Sequence, residues 1–235
     1  MQNVDEQEIR KFEALASRWW DPNGEFKPLH DINPLRMGFI SHHVNLAGLD
    51  VLDVGCGGGL LAEAMVHQGA QVTAIDLAEA SLAVARLHQL ESGLEIDYRK
   101  VPVEDLALAE PGRFDVITCL EMLEHVPAPD SVVQACATLL KPGGRVFFST
   151  INRSAKAYVF AILGAEYVLK LLPRGTHDYS KFIRPSELAT WCRSAGLDLY
   201  KQTGMTYNPL TKRYSLEHSL DVNYLAMYAK PAIET

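Results

Sequence analysis

Apolar and polar residues follow two different rhythms along this 235-residue chain, and the change from one to the other predicts its elements. Ile9, Phe12, Leu15, Ala16 and Trp19 recur at three- and four-residue steps, so residues 5–20 predict a helix. Residues 21–34 hold three prolines and a glycine and predict a loop, with a short helix over 35–47 after it. Short apolar runs then predict strands near 50–54, 71–76, 95–100, 114–120 and 144–151. Helical spacing places helices between them, near 59–69, 79–92 and 129–140. Such alternation predicts an α/β fold with a parallel, doubly wound sheet and right-handed crossovers. Lys141-Pro142-Gly143-Gly144 reads as the turn between the third helix and the strand 145–151.

The pattern breaks after Ile151. Residues 155–172, AKAYVFAILGAEYVLKLL, are strongly apolar with helical spacing, and residues 173–185 are polar. A helix over 185–195 follows, with Pro185 near its first turn, and strand-like runs recur near 197–203 and 221–229. Two late strands after an insertion fit a seven-stranded sheet whose last pair is antiparallel. The expectation is one domain over 1–235, with an N-terminal helical extension 1–48 and a helical insertion near 153–196.

Composition narrows the partners. Hydrophobic residues make up 48% of the chain, enough for a sizeable core. A net charge of −7 and an isoelectric point near 5.6 argue against nucleic acid held by a broad positive field. Cys56, Cys119, Cys136 and Cys192 form no CxxC pair and read as buried thiols in a reducing compartment. The polar start, MQNVDEQEIR, is neither a signal nor a transit peptide, and no uncharged apolar run is long enough to span a bilayer. A cytoplasmic location is expected.

Chemistry enters at residues 51–59, VLDVGCGGG. An apolar strand ends in Asp53, then Gly55, Gly57, Gly58 and Gly59 lead into a helix. Glycines there let the backbone approach a ligand closely. Asp76 closes the next strand, about twenty residues on, where an acid suits ribose hydroxyls. A dinucleotide fingerprint wants glycine or alanine where this chain has Leu60. The Asp53–Gly59 spacing instead resembles motif I of the class I methyltransferases that use S-adenosylmethionine. Asp53 either accepts hydrogen bonds from the cofactor or orients the turn. Leu120 and Met122 flank the end of the fourth strand, where they either face adenosine or pack in the core.

Longer blocks are more specific. FEALASRWWDPNGEFKPLHDINPLR, CLEMLEHVPAP, LKPGGRVFFSTINR, GTHDYSKFIRPSEL and DVNYLA resemble the ubiquinone-biosynthesis O-methyltransferase family over nearly the whole chain. The resemblance implies a class I fold and methyl transfer to phenolic oxygens of polyprenylated catechol-type intermediates, 2-polyprenyl-6-hydroxyphenol and 3-demethylubiquinol. It also implies that Arg36 reaches the carboxylate of the cofactor, which suits the planar guanidinium fork. Work within a ubiquinone-biosynthesis protein complex belongs to the same expectation.

Glu121, Glu124 and His125 cluster as E-x-x-E-H at a strand end. A phenol, with a pKa of about 10, must lose its proton before it is methylated. Two carboxylates and an imidazole offer a general base, or a site for a divalent cation such as Mg²⁺, or caps for the next segment. Residues 155–172 either lie in the headgroup layer of an anionic membrane, on its inner face, or cover the active site. A dinucleotide-dependent oxidoreductase, a methyltransferase of another small phenol or quinone, and a lipid-surface binding protein are the alternatives.

Overall fold

The structure is a computed structural model that describes residues 3–158 and 179–232. Eight strands form one sheet: β1 (Asp50–Val54), β2 (Gln71–Asp76), β3 (Asp97–Lys100), β4 (Phe114–Leu120), β5 (Leu140–Ile151), β6 (Asp198–Asn208), β7 (Arg213–Glu217) and β8 (Asn223–Ala229). Their order across the sheet is β3-β2-β1-β4-β5-β8-β6-β7. The first five are parallel, and β8 enters antiparallel between β5 and β6.

The strands read as near-continuous apolar runs because both faces of the sheet are covered. Side chains of period two divide between the faces. Leu52, Val54 and Phe148 join one core with α5 (Val103–Ala109), α6 (Pro129–Leu139) and α8 (Pro185–Ser194). Val51, Phe147 and Met227 join the other, under α2 (Lys27–His43), α3 (Leu60–Val66) and α4 (Glu79–Ser92). The helix α1 (Glu6–Leu15) stands apart, capped by Asp5, whose carboxylate accepts from Gln7 N and Glu8 N. The turn α7 (Ala155–Ala157) opens the insertion, and the Ser154 hydroxyl accepts from Ala157 N. Beyond Tyr158 the expected helix 155–172 lies outside the described residues.

Four features differ from the pattern. The helix α2 starts at Lys27, inside the expected loop. Pro28 sits in its first turn, where no amide is needed. Pro34 lies within it, and the buried residues Ile32, Arg36, Phe39 and Ile40 at helical spacing hold the helix in spite of it. The seven-residue α5 goes unpredicted between Pro102 and Pro111, though Val103, Leu106 and Ala107 do bury one face. Residues 141–144 sit within β5 as an irregularity, since Phe114 pairs with Leu140 and Val116 with Arg145. The sheet has eight strands rather than seven: β7 is a largely exposed edge strand of five residues, whose alternation of Tyr214 and Leu216 is too short to announce it, paired to the second half of β6.

Candidate active site

Every site residue predicted from the sequence lines one cavity of about 990 Å³. It opens beyond the carboxyl ends of β1, β2, β4 and β5, where open α/β sheets place their ligands. The helix α1 and the segment carrying Trp19 and Phe26 form its other wall.

The glycine turn is fastened to β2. Gly55 N and Cys56 N both donate to Ile75 O, at 2.9 and 3.0 Å. Asp76 Oδ2 accepts from Gly57 N and its Oδ1 from Ala78 N, each at 2.8 Å. Asp76 therefore shapes the turn as well as facing the cavity, and burial raises its carboxyl above the usual range. Gly57 has φ +53°, and a Cβ on it would run into the Trp19 indole. The bareness of the turn thus admits a protein side chain. Next to it the Trp20 indole donates to Gly58 O at 2.9 Å and stacks on His88, with ring centroids 3.4 Å apart. His88 Nδ1 is in turn 2.7 Å from Glu63 Oε1.

Two buried groups of opposite sign carry unused hydrogen-bonding atoms. Asp53 Oδ1 accepts from Thr118 Oγ1 at 2.7 Å, while Oδ2 has no partner. Burial pushes this carboxyl up to about 6, against the pull of Thr118 and Arg36. Arg36 is 5% exposed, its Nε and Nη2 make no hydrogen bond, and Nη2 lies 3.4 Å from Glu121 Oε1. Orphaned buried polar atoms are costly, each by about 1–3 kcal/mol, unless a ligand completes them. An amino-acid moiety supplies the complement, an ammonium for Asp53 and a carboxylate for Arg36. The donors present therefore fit the methionine end of S-adenosylmethionine. Leu120 is buried and Met122 packs on Gly55, so both belong to the apolar wall.

A family profile described as "Methyltransferase domain" matches residues 9–202. The curated "Ubiquinone biosynthesis O-methyltransferase" of Azotobacter vinelandii is 69% identical over 225 residues, 96% of this chain and 97% of that protein. That of Stutzerimonas stutzeri is 66% identical, over 98% of this chain and 99% of its own. The chain belongs to the ubiquinone biosynthesis O-methyltransferase family. Among solved structures it resembles magnesium protoporphyrin IX methyltransferase from Synechocystis PCC 6803 with bound SAH, at a TM-score of 0.70 and 19% identity, covering 96% of this chain and 100% of that one. At that identity the likeness shows the fold, a class I methyltransferase fold.

In this family member the three residues at the end of β4 part company. Glu121 Oε1 accepts from Ser149 Oγ at 2.7 Å. Glu124 Oε2 accepts from Thr150 Oγ1 at 2.9 Å. His125 Nδ1 lies 3.0 Å from Glu8 Oε2 on α1. The expected metal site is therefore not gathered: among the described residues no three His, Cys, Asp or Glu side chains form a group that could hold an ion. Burial, with Glu121 adding to it, pushes the Glu124 carboxyl up to about 7. Burial works against a charge on His125, but Glu8, Glu124 and Glu121 outweigh it and raise the imidazole above its ordinary value.

Some site residues had no chemical signal in the sequence. Glu8 is one acid among several on an amphipathic helix, 117 positions from His125. Trp19 and Trp20 belong to a block that marks the family, but nothing in their spacing says that they rest on the glycine turn. Asn223 opens β8 and meets Glu121 only through the antiparallel return of the chain.

Proposed function

We infer that the chain methylates phenolic oxygens of polyprenylated catechol-type intermediates of ubiquinone biosynthesis, 2-polyprenyl-6-hydroxyphenol and 3-demethylubiquinol. S-adenosylmethionine, when bound, supplies an electrophilic methyl group. The observation that carries the reading is that Arg36 and Asp53, each with buried atoms that make no hydrogen bond, share a cavity whose remaining wall is largely apolar. Arg36 holds the cofactor carboxylate and Asp53 its ammonium. Asp76 takes the ribose hydroxyls beside Gly55 and Gly57, and Leu120 and Met122 flank the adenosine.

The phenol loses its proton at the Glu124–His125 side of the cavity. Glu124, with its pKa near 7, is suited to general-base work near neutral pH. His125, paired with Glu8, favours the charged form and stabilises the phenolate that results. Glu121 orients the rim through Arg36, Ser149 and Asn223. Mg²⁺ at Glu121, Glu124 and His125 requires that His125 leave Glu8 and that Glu121 leave Ser149. Turnover lost in excess chelator and restored by Mg²⁺ is the result that this part of the reading needs.

Calorimetry with S-adenosylmethionine and NAD, followed by turnover on a short-tailed polyprenyl catechol, tests the whole reading. Binding of NAD, or binding of S-adenosylmethionine without methylation of the catechol, overturns it. We further propose peripheral contact with anionic lipid through residues 155–172, and work within a ubiquinone-biosynthesis complex. Lys156 and Tyr158 at the start of that segment are exposed, and no helix among the described residues is long and apolar enough to cross a membrane. Sedimentation with anionic liposomes that falls as salt rises, and falls further in Phe160→Glu, checks the lipid contact.

A further inference from the structure

Asn223 stands at the start of β8, opposite Ile151 of β5 and Met205 of β6. That register brings it to the rim beside Glu121. Its Nδ2 lies 3.3 Å from Glu121 Oε2 and 3.5 Å from Oε1. Both contacts run from the amide N–H of Asn223 to the carboxyl oxygens of Glu121, so the nitrogen is the atom that faces Glu121. The amide oxygen is then turned away from it. Asn223 Oδ1 is buried, carries no hydrogen bond, and belongs to a residue that lines the cavity.

The acceptor is held firmly. Glu121 has φ +53°, a left-handed conformation that a side chain makes unfavourable and that persists only where neighbours enforce it. Ser149 enforces it: Glu121 N donates to Ser149 O at 3.0 Å and to Ser149 Oγ at 3.1 Å, and Ser149 Oγ donates back to Glu121 Oε1. Strain of this kind gathers at ligand clamps. The unused atoms of the wall also differ in kind. Arg36 offers donors, which suit a carboxylate. Asp53 Oδ2 is an acceptor on a carboxyl, which suits an ammonium. Asn223 Oδ1 is a neutral acceptor on the β5–β8 side, which suits a neutral hydroxyl.

A catechol brings two adjacent hydroxyls. One becomes the nucleophile and gives up its proton, while the other keeps its proton and remains a donor. A planar ring turned over in the cavity would exchange the two. We propose that Asn223 Oδ1 accepts the hydrogen bond of the hydroxyl that is not being methylated, and thereby decides which oxygen meets the methyl donor. The inference rests on the catechol O-methylation given above. No bond forms or breaks at Asn223; it binds and orients.

The test uses the full chain with Asn223→Leu, which keeps the branched heavy-atom skeleton and removes the acceptor. Two probes are compared by calorimetry in the presence of S-adenosylhomocysteine: a short-tailed polyprenyl catechol, and the same compound without the second hydroxyl. The catechol is expected to bind about tenfold more weakly to the variant, the size of one well-made hydrogen bond. The monophenol is expected to bind both proteins alike, and S-adenosylmethionine affinity is expected to hold. The methylated product of the variant is expected to be a mixture of regioisomers. Equal weakening of both phenols would mean that Asn223 only supports Glu121, and would overturn the proposal. So would a loss confined to S-adenosylmethionine, which would make the amide part of the cofactor site, or no change at all. If the leucine variant does not fold, Asn223→Ala, which also removes the acceptor, gives the same ratio of the two phenols. Failure of the parent protein to methylate the catechol would remove the reaction itself; a parent that methylates it beside a variant with an unchanged ratio would remove only the role of Asn223.

Discussion

Glu8 and His125 meet at 3.0 Å and join the start of the chain to the turn after β4. Lys181 reinforces the joint, with Nζ 3.0 Å from Asp5 Oδ2 and 3.4 Å from Glu8 Oε1. The helix α1 is thus moored to the cavity by charge, while Phe12 adds an edge-to-face contact with the His125 ring.

The mooring should depend on pH in a definite direction. The His125 pKa is raised, so its contribution is full below the ordinary histidine value of about 6.5 and is lost as pH rises through the raised one. The Glu8 pKa is lowered, chiefly by His125, so its contribution is full above the ordinary carboxylate range and is lost as pH falls through the lowered one. Both are complete only between those limits, at mildly acid pH. Glu8→Gln is expected to cost on the order of 1 kcal/mol there, a fall of about 2–4 °C in Tm for a chain of this length. Thermal melts at pH 5.5 and at pH 9 should show the penalty at the first and a smaller one at the second. An equal penalty at both would remove the pair as its cause.

Asp53→Asn should separate stability from function. A carboxyl whose pKa rises to about 6 on folding costs the folded state at neutral pH, because the unfolded chain ionises more readily. The neutral amide avoids that cost. The variant without cofactor is expected to gain roughly 1–3 kcal/mol at pH 7, and little at pH 3.5, by denaturant melts. Its affinity for S-adenosylmethionine should fall by about tenfold or more, because the ammonium loses its charged partner. A variant that is no more stable and binds equally well would contradict both statements.

Arg36→Lys keeps the charge and loses the fork. Bidentate recognition of a carboxylate does not survive that exchange. Calorimetry is expected to show about a tenfold loss of S-adenosylmethionine affinity, with the loss shared by S-adenosylhomocysteine, which carries the same carboxylate. Equal affinity in the lysine variant would show that charge alone is read.

The tryptophans on the glycine turn should report on it. Gly57→Val adds a side chain at φ +53° and drives it into Trp19. Cofactor binding is expected to be lost, and the tryptophan emission of the cofactor-free protein to shift. Trp20→Ala removes the bond to Gly58 O and the stack on His88. It should weaken cofactor binding severalfold while the fold persists, since circular dichroism would register any wider loss. Cofactor affinity unchanged in Trp20→Ala would leave the indole a purely structural role.

The central strands were legible because burial on both faces favours apolar residues: Val51, Leu52 and Val54, or Ile117, Cys119 and Leu120, read as apolar runs even with Asp53 and Thr118 buried among them. The glycine turn was legible because few residues tolerate its backbone. The edge strand β7 was not, since water on most of its side chains permits almost any sequence. Pro34 pointed away from helix, yet packing of Ile32, Phe39 and Ile40 decides α2. At the site, Glu121, Glu124 and His125 were visible as a cluster in sequence, but their partners come from α1, β5 and β8. Proximity along a chain told which residues share a rim; it did not tell which way each one turns.

The position of β8 has a consequence for how this enzyme comes into being. β8 follows β6 and β7 along the chain, yet it lies inside the sheet, between β5 and β6. Until it arrives, β5 has an open flank and Asn223 is missing from the rim. A chain cut short before residue 223 therefore has its glycine turn but neither a closed sheet nor a finished pocket. In such a chain β5 keeps an unpaired row of backbone amides and carbonyls, and the rim lacks the amide that faces Glu121.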